Sequence, residues 1–260
     1  MGRFFNLDSP FMRALNRVAD VLIVNWLPLL FFLPMLAAAY ASVFLGNLIL
    51  AGLLLFVAAL PIGAAFTAMH YVLLKLVRGE EGYVARSFFH SYKENFRQST
   101  VIWAGFLFFF VVLGVDLYMA THAQNFPKAL GIALVVALII ISSVFLWTFP
   151  LLSHFVNTNR ATLKNAVIMT IGYFPRTLGM IGLSLAPILV LYVGQWSVIP
   201  LLIMFGIAGP AYGCCYLYSP AFKKFEPEEE TGDPDAMPEA LRDEPTADVR
   251  PEDAREERGE

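Results

Sequence analysis

Between Asp20 and Lys75 the chain runs 54 residues without a charged side chain. As helix this is about 80 Å at about 1.5 Å per residue. A bilayer core is about 30 Å thick and takes about 20 residues per crossing. Val21–Leu74 therefore predicts two crossings. Three further low-charge stretches follow. Ser99–Val115 predicts one, reaching Thr121 if Asp116 sits at the far interface. Ala129–Asn159 predicts one with spare length. Thr177–Phe222 has 46 residues, enough for two crossings joined by a tight turn near Gly194–Ser197. The pattern predicts an all-α, polytopic membrane helix bundle of about six transmembrane helices. It would occupy residues 1–225.

The polar positions between these runs are also patterned. Asp8-Ser9-Pro10 is a helix-start signal, with Ser9 as cap and Pro10 in the first turn. Phe11, Leu15, Val18 and Leu22 then share one face and Arg13 and Arg17 another, as in a short interfacial helix leading into the first span. In the segment Gly79–Gln98, Arg86, His90, Lys93 and Arg97 step by four, three and four. That spacing places them on one stripe of a helix. Val84, Phe88, Phe89, Tyr92 and Phe96 fall on another face. A basic stripe opposite aromatics suits a helix lying in the inner headgroup layer, or a surface on which a partner docks. Arg160–Arg176 is a fainter copy of the same arrangement, which would make the two segments a parallel repeat.

Composition supports the membrane reading and charge orients it. Hydrophobic residues are 58% of the chain and charged residues 15%, against about half and a quarter in soluble domains. The net charge of −3 averages two unlike parts. Residues 226–260 hold 15 of the 21 acids and four arginines, a net of −11; the remainder holds 14 basic and six acidic residues, a net of +8. The acidic segment has five prolines and no aromatic residue, a composition expected to stay disordered. With six spans, 17 of the 18 Lys and Arg residues fall on one side, Lys128 being the exception. Such a bias places both termini in the cytoplasm. Ala37-Ala38-Ala39 looks like a signal-peptidase site, but the apolar run continues past it and Pro28 and Pro34 interrupt the stretch before it. A retained first span is expected.

Candidate chemistry is sparse. No His-Glu-x-x-His, Gly-x-Ser-x-Gly or phosphate-binding glycine loop is present. Cys214 and Cys215 are adjacent in an apolar run, without disulfide or metal spacing, and read as small packed residues. No cofactor or metal is expected. Polar residues inside spans are the functional candidates: Asn25, His70, Asp116 and His154, with Gln195 weaker. His70 and His154 could meet in the bundle as proton or metal groups, though such histidines more often bond a neighbouring helix. Asp116 is expected at the outer interface beside Tyr118. Proline is frequent within spans, as at Pro28, Pro34, Pro61, Pro150, Pro187, Pro200 and Pro210. Pro61-Ile62-Gly63 is the best candidate for a kinked or broken helix.

Several of these segments together resemble a known family. They are Phe5-Asn6-Leu7-Asp8-Ser9-Pro10-Phe11-Met12-Arg13, Leu74-Lys75-Leu76-Val77-Arg78, Glu81-Gly82-Tyr83, Arg86-Ser87-Phe88-Phe89, Lys93-Glu94-Asn95-Phe96-Arg97-Gln98 and Phe222-Lys223-Lys224-Phe225-Glu226-Pro227. In this order they resemble the YesL-like bacterial integral membrane proteins over residues 4–227. The resemblance implies a multi-pass protein of the bacterial plasma membrane, non-enzymatic, acting as an accessory factor for carbohydrate uptake or membrane sensing. It carries over no catalytic residue. The expected partners are the lipid bilayer and a membrane transporter or sensor complex, and nucleic acid is not among them. Arg86, His90, Lys93 and Arg97 are the candidate cytoplasmic docking surface. The alternative is a small-solute transporter built around the proline-kinked spans.

Overall fold

The computed structural model describes residues 10–80, 82–123 and 126–226. Ser9, the expected helix cap, and the acidic segment from 227 onward lie outside the described residues. Among those described there are helices and no strand. The order is α1 (Pro10–Leu30), α2 (Leu33–Leu45), α3 (Leu48–Ala59), α4 (Pro61–Arg78), α5 (Val84–His122), α6 (Lys128–His154), α7 (Asn159–Gly172), α8 (Phe174–Gly194), a single 3-10 turn (Gln195–Val198), α9 (Ile199–Phe205) and α10 (Ala208–Phe222).

Five helical segments are long and apolar enough to cross a membrane: Phe11–Leu45, Leu48–Arg78, Val84–His122, Lys128–His154 and Phe174–Phe205. The fifth doubles back. Gln195 has φ 50° and ψ −137°, outside any helix, whereas Gly206 and Ile207 keep right-handed values. The reversal is therefore at 195–198, and α9 and α10 form one bent returning leg. Contacts across the hairpin agree: Gly179 faces Leu217 and Gly213 faces Leu183, an antiparallel register. The bundle thus has six apolar legs, with the last turn where the glycine-serine segment predicted it.

Three of those legs are broken, each in a way the residues explain. Pro61 at the start of α4 cannot donate to the preceding turn, so α3 ends at Ala59. The Trp103 indole N–H donates to the freed Ala59 carbonyl at 2.9 Å. The first leg bends at Phe31–Phe32, just ahead of Pro34. The sixth bends at Gly206–Ile207, ahead of Pro210. The α2–α3 turn is made by Gly46 at φ 60°, and Asn47 caps α3 by accepting from Ile49 and Leu50 N–H.

One expectation is corrected. The segment 84–98 is not a separate helix lying in the headgroup layer. It is the first part of α5, a single helix of 39 residues, about 58 Å long and nearly twice the thickness of a bilayer core. Nothing between Arg97 and Ser99 breaks helix, so the amphipathic part and the span run on as one rod. The N-terminal amphipathic segment is likewise continuous with the first leg in α1. By contrast α7 is a separate helix, started by the Thr158 side chain accepting from Ala161 N–H. It folds back along α6, where Thr170 Oγ1 donates to the Ser143 carbonyl at 3.5 Å.

The core has two parts. One gathers Val24, Leu73, Phe88, Trp147, Met180, Tyr218 and Phe222; the other gathers Ile62, Trp103, Phe106, Phe149 and Leu152. In the second, Phe66 sits edge-on to Phe145 at 5.9 Å and to Trp103 at 5.7 Å, the geometry the ring quadrupole favours. Large apolar residues elsewhere point outward: Leu48 is 90% exposed, Val43 77% and Phe108 57%. In a soluble protein this surface would be a liability. In a bilayer it is the face that meets lipid.

Candidate functional site

Two places concentrate unusual chemistry: the outward-facing ridge of α5 and a half-open cavity between the legs of the bundle.

The ridge is held from behind. Phe88 and Ser91 are buried, and Tyr92 stacks on Phe31 at 4.3 Å. Asn95 Nδ2 donates to the Ser91 carbonyl at 3.1 Å, and Gln98 Nε2 donates to the Asn157 carbonyl at 2.7 Å, tying α5 to the loop after α6. On the other side Arg86, His90, Lys93 and Arg97 are all exposed. His90 Nδ1 lies 3.6 Å from Glu94. Among the described residues Arg86, Lys93 and Arg97 form no ion pair. Nearby Lys75 differs: it is 3.8 Å from Glu80 and lies over the Tyr71 ring. Phe89 and Phe96 flank the stripe and remain 41% exposed each. The fold therefore presents the four predicted residues together on a rigid surface. Val84, Phe88 and Tyr92 of the aromatic face are used internally.

The cavity has a volume of about 300 Å³. Two helix bends reach it, through Phe32 of the α1–α2 bend and Gly206 and Ile207 of the α9–α10 bend, and Pro187 inside α8 and Pro210 in α10 also line it. Interrupted helix at membrane depth is tolerated where it is packed in protein or lines a cavity. The rest of the wall is chiefly apolar, with Phe66, Phe145, Phe149, Met69 and Met180. Its polar side chains are His70, Ser184 and Cys214, and it includes no Asp, Glu, Lys or Arg. His70 Nδ1 is 3.2 Å from the Tyr218 hydroxyl, which in turn is 2.6 Å from Cys215 Sγ. Cys214 Sγ reaches the Met180 carbonyl at 3.8 Å.

The four intramembrane candidates have separate fates. Asn25 is fully buried and mends the α9–α10 bend. Its Nδ2 donates to the Ile203 carbonyl at 2.8 Å, and its Oδ1 accepts from Ile207 N–H at 3.0 Å and Ala208 N–H at 2.8 Å. Ile203 and Ile207 are the pair an unbroken helix would join directly. The Asn25 amide is thus inserted into that hydrogen-bond ladder. His70 lines the cavity. His154 stacks on Phe222 with centroids 5.7 Å apart, so the two histidines pack against different rings of the Tyr218–Phe222 pair. Among the described residues no three of His, Cys, Asp and Glu gather to hold a metal. Asp116 is exposed toward the C-terminal end of α5, beside exposed Val115 and Tyr118, and is not part of the cavity wall.

Other polar groups went unnoticed in the sequence. Thr67 Oγ1 and Ser99 Oγ meet at 2.7 Å between α4 and α5. Trp147 Nε1 donates to Thr177 Oγ1 at 2.9 Å between α6 and α8. Ser184 and Tyr218 belong with them. Their common signal is a hydroxyl within an apolar run. That signal is weak, because such hydroxyls can bond their own helix, as Ser143 bonds the Ile139 carbonyl.

Fold and site together define a helical integral membrane protein with a basic surface ridge and an uncharged, half-open cavity between the legs. A family model described as "Protein of unknown function, DUF624" matches residues 21–117. The uncharacterized protein YteU of Bacillus subtilis (strain 168) is 26% identical over 123 residues, which is 47% of this chain and 55% of that protein. The chain thus spans about half the length of the curated relative it matches. No solved structure matches.

Proposed function

We propose that this is a non-enzymatic membrane protein that works by docking a second membrane protein on the α5 ridge. Its role would be that of an accessory factor in carbohydrate uptake or membrane sensing, as in the YesL-like proteins that its central segments resemble. The observation that carries the reading is the ridge itself. Three cations that form no ion pair among the described residues, and two half-exposed phenylalanines, stand on a helix fixed from behind. Each Lys or Arg near an anionic leaflet contributes about 1 kcal/mol. The legs on either side anchor this segment far more strongly, so holding the protein in the membrane does not account for the stripe. The excess of Lys and Arg on the ridge side supports a reading in which the ridge and both termini face the cytoplasm from a bacterial plasma membrane.

The test is in-membrane crosslinking followed by identification of partners, comparing wild type with a variant in which Arg86, Lys93 and Arg97 are all replaced by Glu. The variant is expected to insert normally and to lose the wild-type partner. Recovery of the same partner in equal amount would show the stripe to be a headgroup contact only.

A second reading, a small-solute transporter, is favoured by one observation: broken legs converge on a cavity, as in transporters whose sites lie between discontinuous helices.

A further inference from the structure

The ridge has no use for the cavity, and the cavity's wall is selective in its own right. A volume of about 300 Å³ is at the lower end of the range for small-molecule sites, about 300–1,000 Å³. With no charged side chain in the wall, an ion would enter without a counter-charge, which is costly at membrane depth. A sugar would bring many hydroxyls to a wall with three polar side chains, and each hydroxyl left unpaired costs about 1–3 kcal/mol. Phenylalanine rings and methionine thioethers instead suit an apolar or aromatic body.

The polar end is also defined. Tyr218, backed by Cys215, engages Nδ1 of His70. Among the described residues no protein group takes Nε2, and His70 forms part of the wall. Whichever way the Cys215–Tyr218–His70 chain is polarised, Nε2 is left as donor or as acceptor for a ligand hydroxyl. We propose that this cavity binds a neutral, mainly apolar small molecule that carries one hydrogen-bonding group, with that group at His70. The proposal is independent of partner docking on the ridge, and it assigns the cavity to a class of ligand that excludes sugars and ions.

The test uses the full chain in lipid nanodiscs and a trifluoromethyl-diazirine derivative of benzyl alcohol as photoprobe, with labelled positions mapped by mass spectrometry. Saturable labelling is expected in α4, α6, α8 and α10, displaced by benzyl alcohol and not by glucose. Ala211→Trp and Ser184→Phe fill the cavity from two different helices, and each should lower this labelling at least tenfold. If one of them does not fold, the other is read. His70→Leu should raise the half-saturating concentration about fivefold, the worth of one hydrogen bond at about 1 kcal/mol. Labelling that does not saturate and spreads over lipid-facing residues such as Phe108 overturns the proposal. So does labelling unchanged in a folded cavity-filling variant. Saturable displacement by added phospholipid would make the occupant an acyl chain and overturn it as well.

Discussion

Asn25 shows what one residue does when backbone is interrupted inside a membrane. Water is absent there, so an open carbonyl and two open N–H groups must find partners in the protein. A single carboxamide supplies all three, because it offers two donors and an acceptor with two lone pairs. Hydrogen bonds within membranes are worth about 0.6 kcal/mol each on average. Asn25→Leu should therefore destabilise the protein by about 2 kcal/mol in reversible SDS unfolding. Thr67→Val, which removes the bond to Ser99 and one to the Gly63 carbonyl, should cost about 1.2 kcal/mol. Equal losses for the two would mean that Asn25 does not hold the bend. As an uncharged polar residue in an apolar run, Asn25 was visible in the sequence as a candidate. Its partners were not, since Ile203 is 178 positions away.

The helices α4 and α5 approach closely at Gly63, and the approach depends on glycine. A Cβ on Gly63 would lie 2.3 Å from the Trp103 Cβ and 3.0 Å from the Ser99 carbonyl oxygen. Small residues let helices approach closely in membranes, where hydrophobic driving force between them is missing. Gly63→Ala should cost about 1–3 kcal/mol by overpacking, read by the same unfolding assay. Gly105, also in α5, has nothing within 4 Å of a Cβ, and Gly105→Ala should change stability by less than about 0.5 kcal/mol. A neutral Gly63→Ala would show that the two helices can part at that point. The break before α4 was legible, because proline fixes its position. The continuity of α5 was not. Charge and amphipathicity suggested two elements, whereas a helix ends only where capping or a breaker ends it. Gly79, at φ 75°, stops α4, and no comparable residue separates Arg97 from Ser99.

For the whole molecule, the count of legs and the placement of Lys and Arg make one joint prediction. In a background lacking Cys214 and Cys215, single cysteines at Arg86 and Asn159 should react only with reagent on the cytoplasmic side. A cysteine at Ala123, just past the end of α5, should react from outside. Reaction of the Arg86 position in intact cells with an impermeant reagent would invert the topology and remove the ridge from any cytoplasmic partner.

The sequence by itself determined the class of protein, the number of legs and the position of the hairpin near Gly194–Ser197. These follow from quantities local to the chain: bilayer thickness sets the length of a run, and the cost of burying charge keeps it uncharged. It also determined the basic stripe, because four-three-four spacing puts residues on one helical face wherever that helix packs. Only the tertiary structure decided which side of α5 turns outward, and that Phe31 of another leg braces it. It alone brought His70, Ser184 and Cys214 to one cavity from α4, α8 and α10, and sent Asn25 to mend a helix far along the chain. Each of these is a meeting of residues distant in sequence. A hydroxyl, an amide or an imidazole in an apolar run has the same local pattern whether it bonds its own helix or another, so the packing of the legs makes the choice.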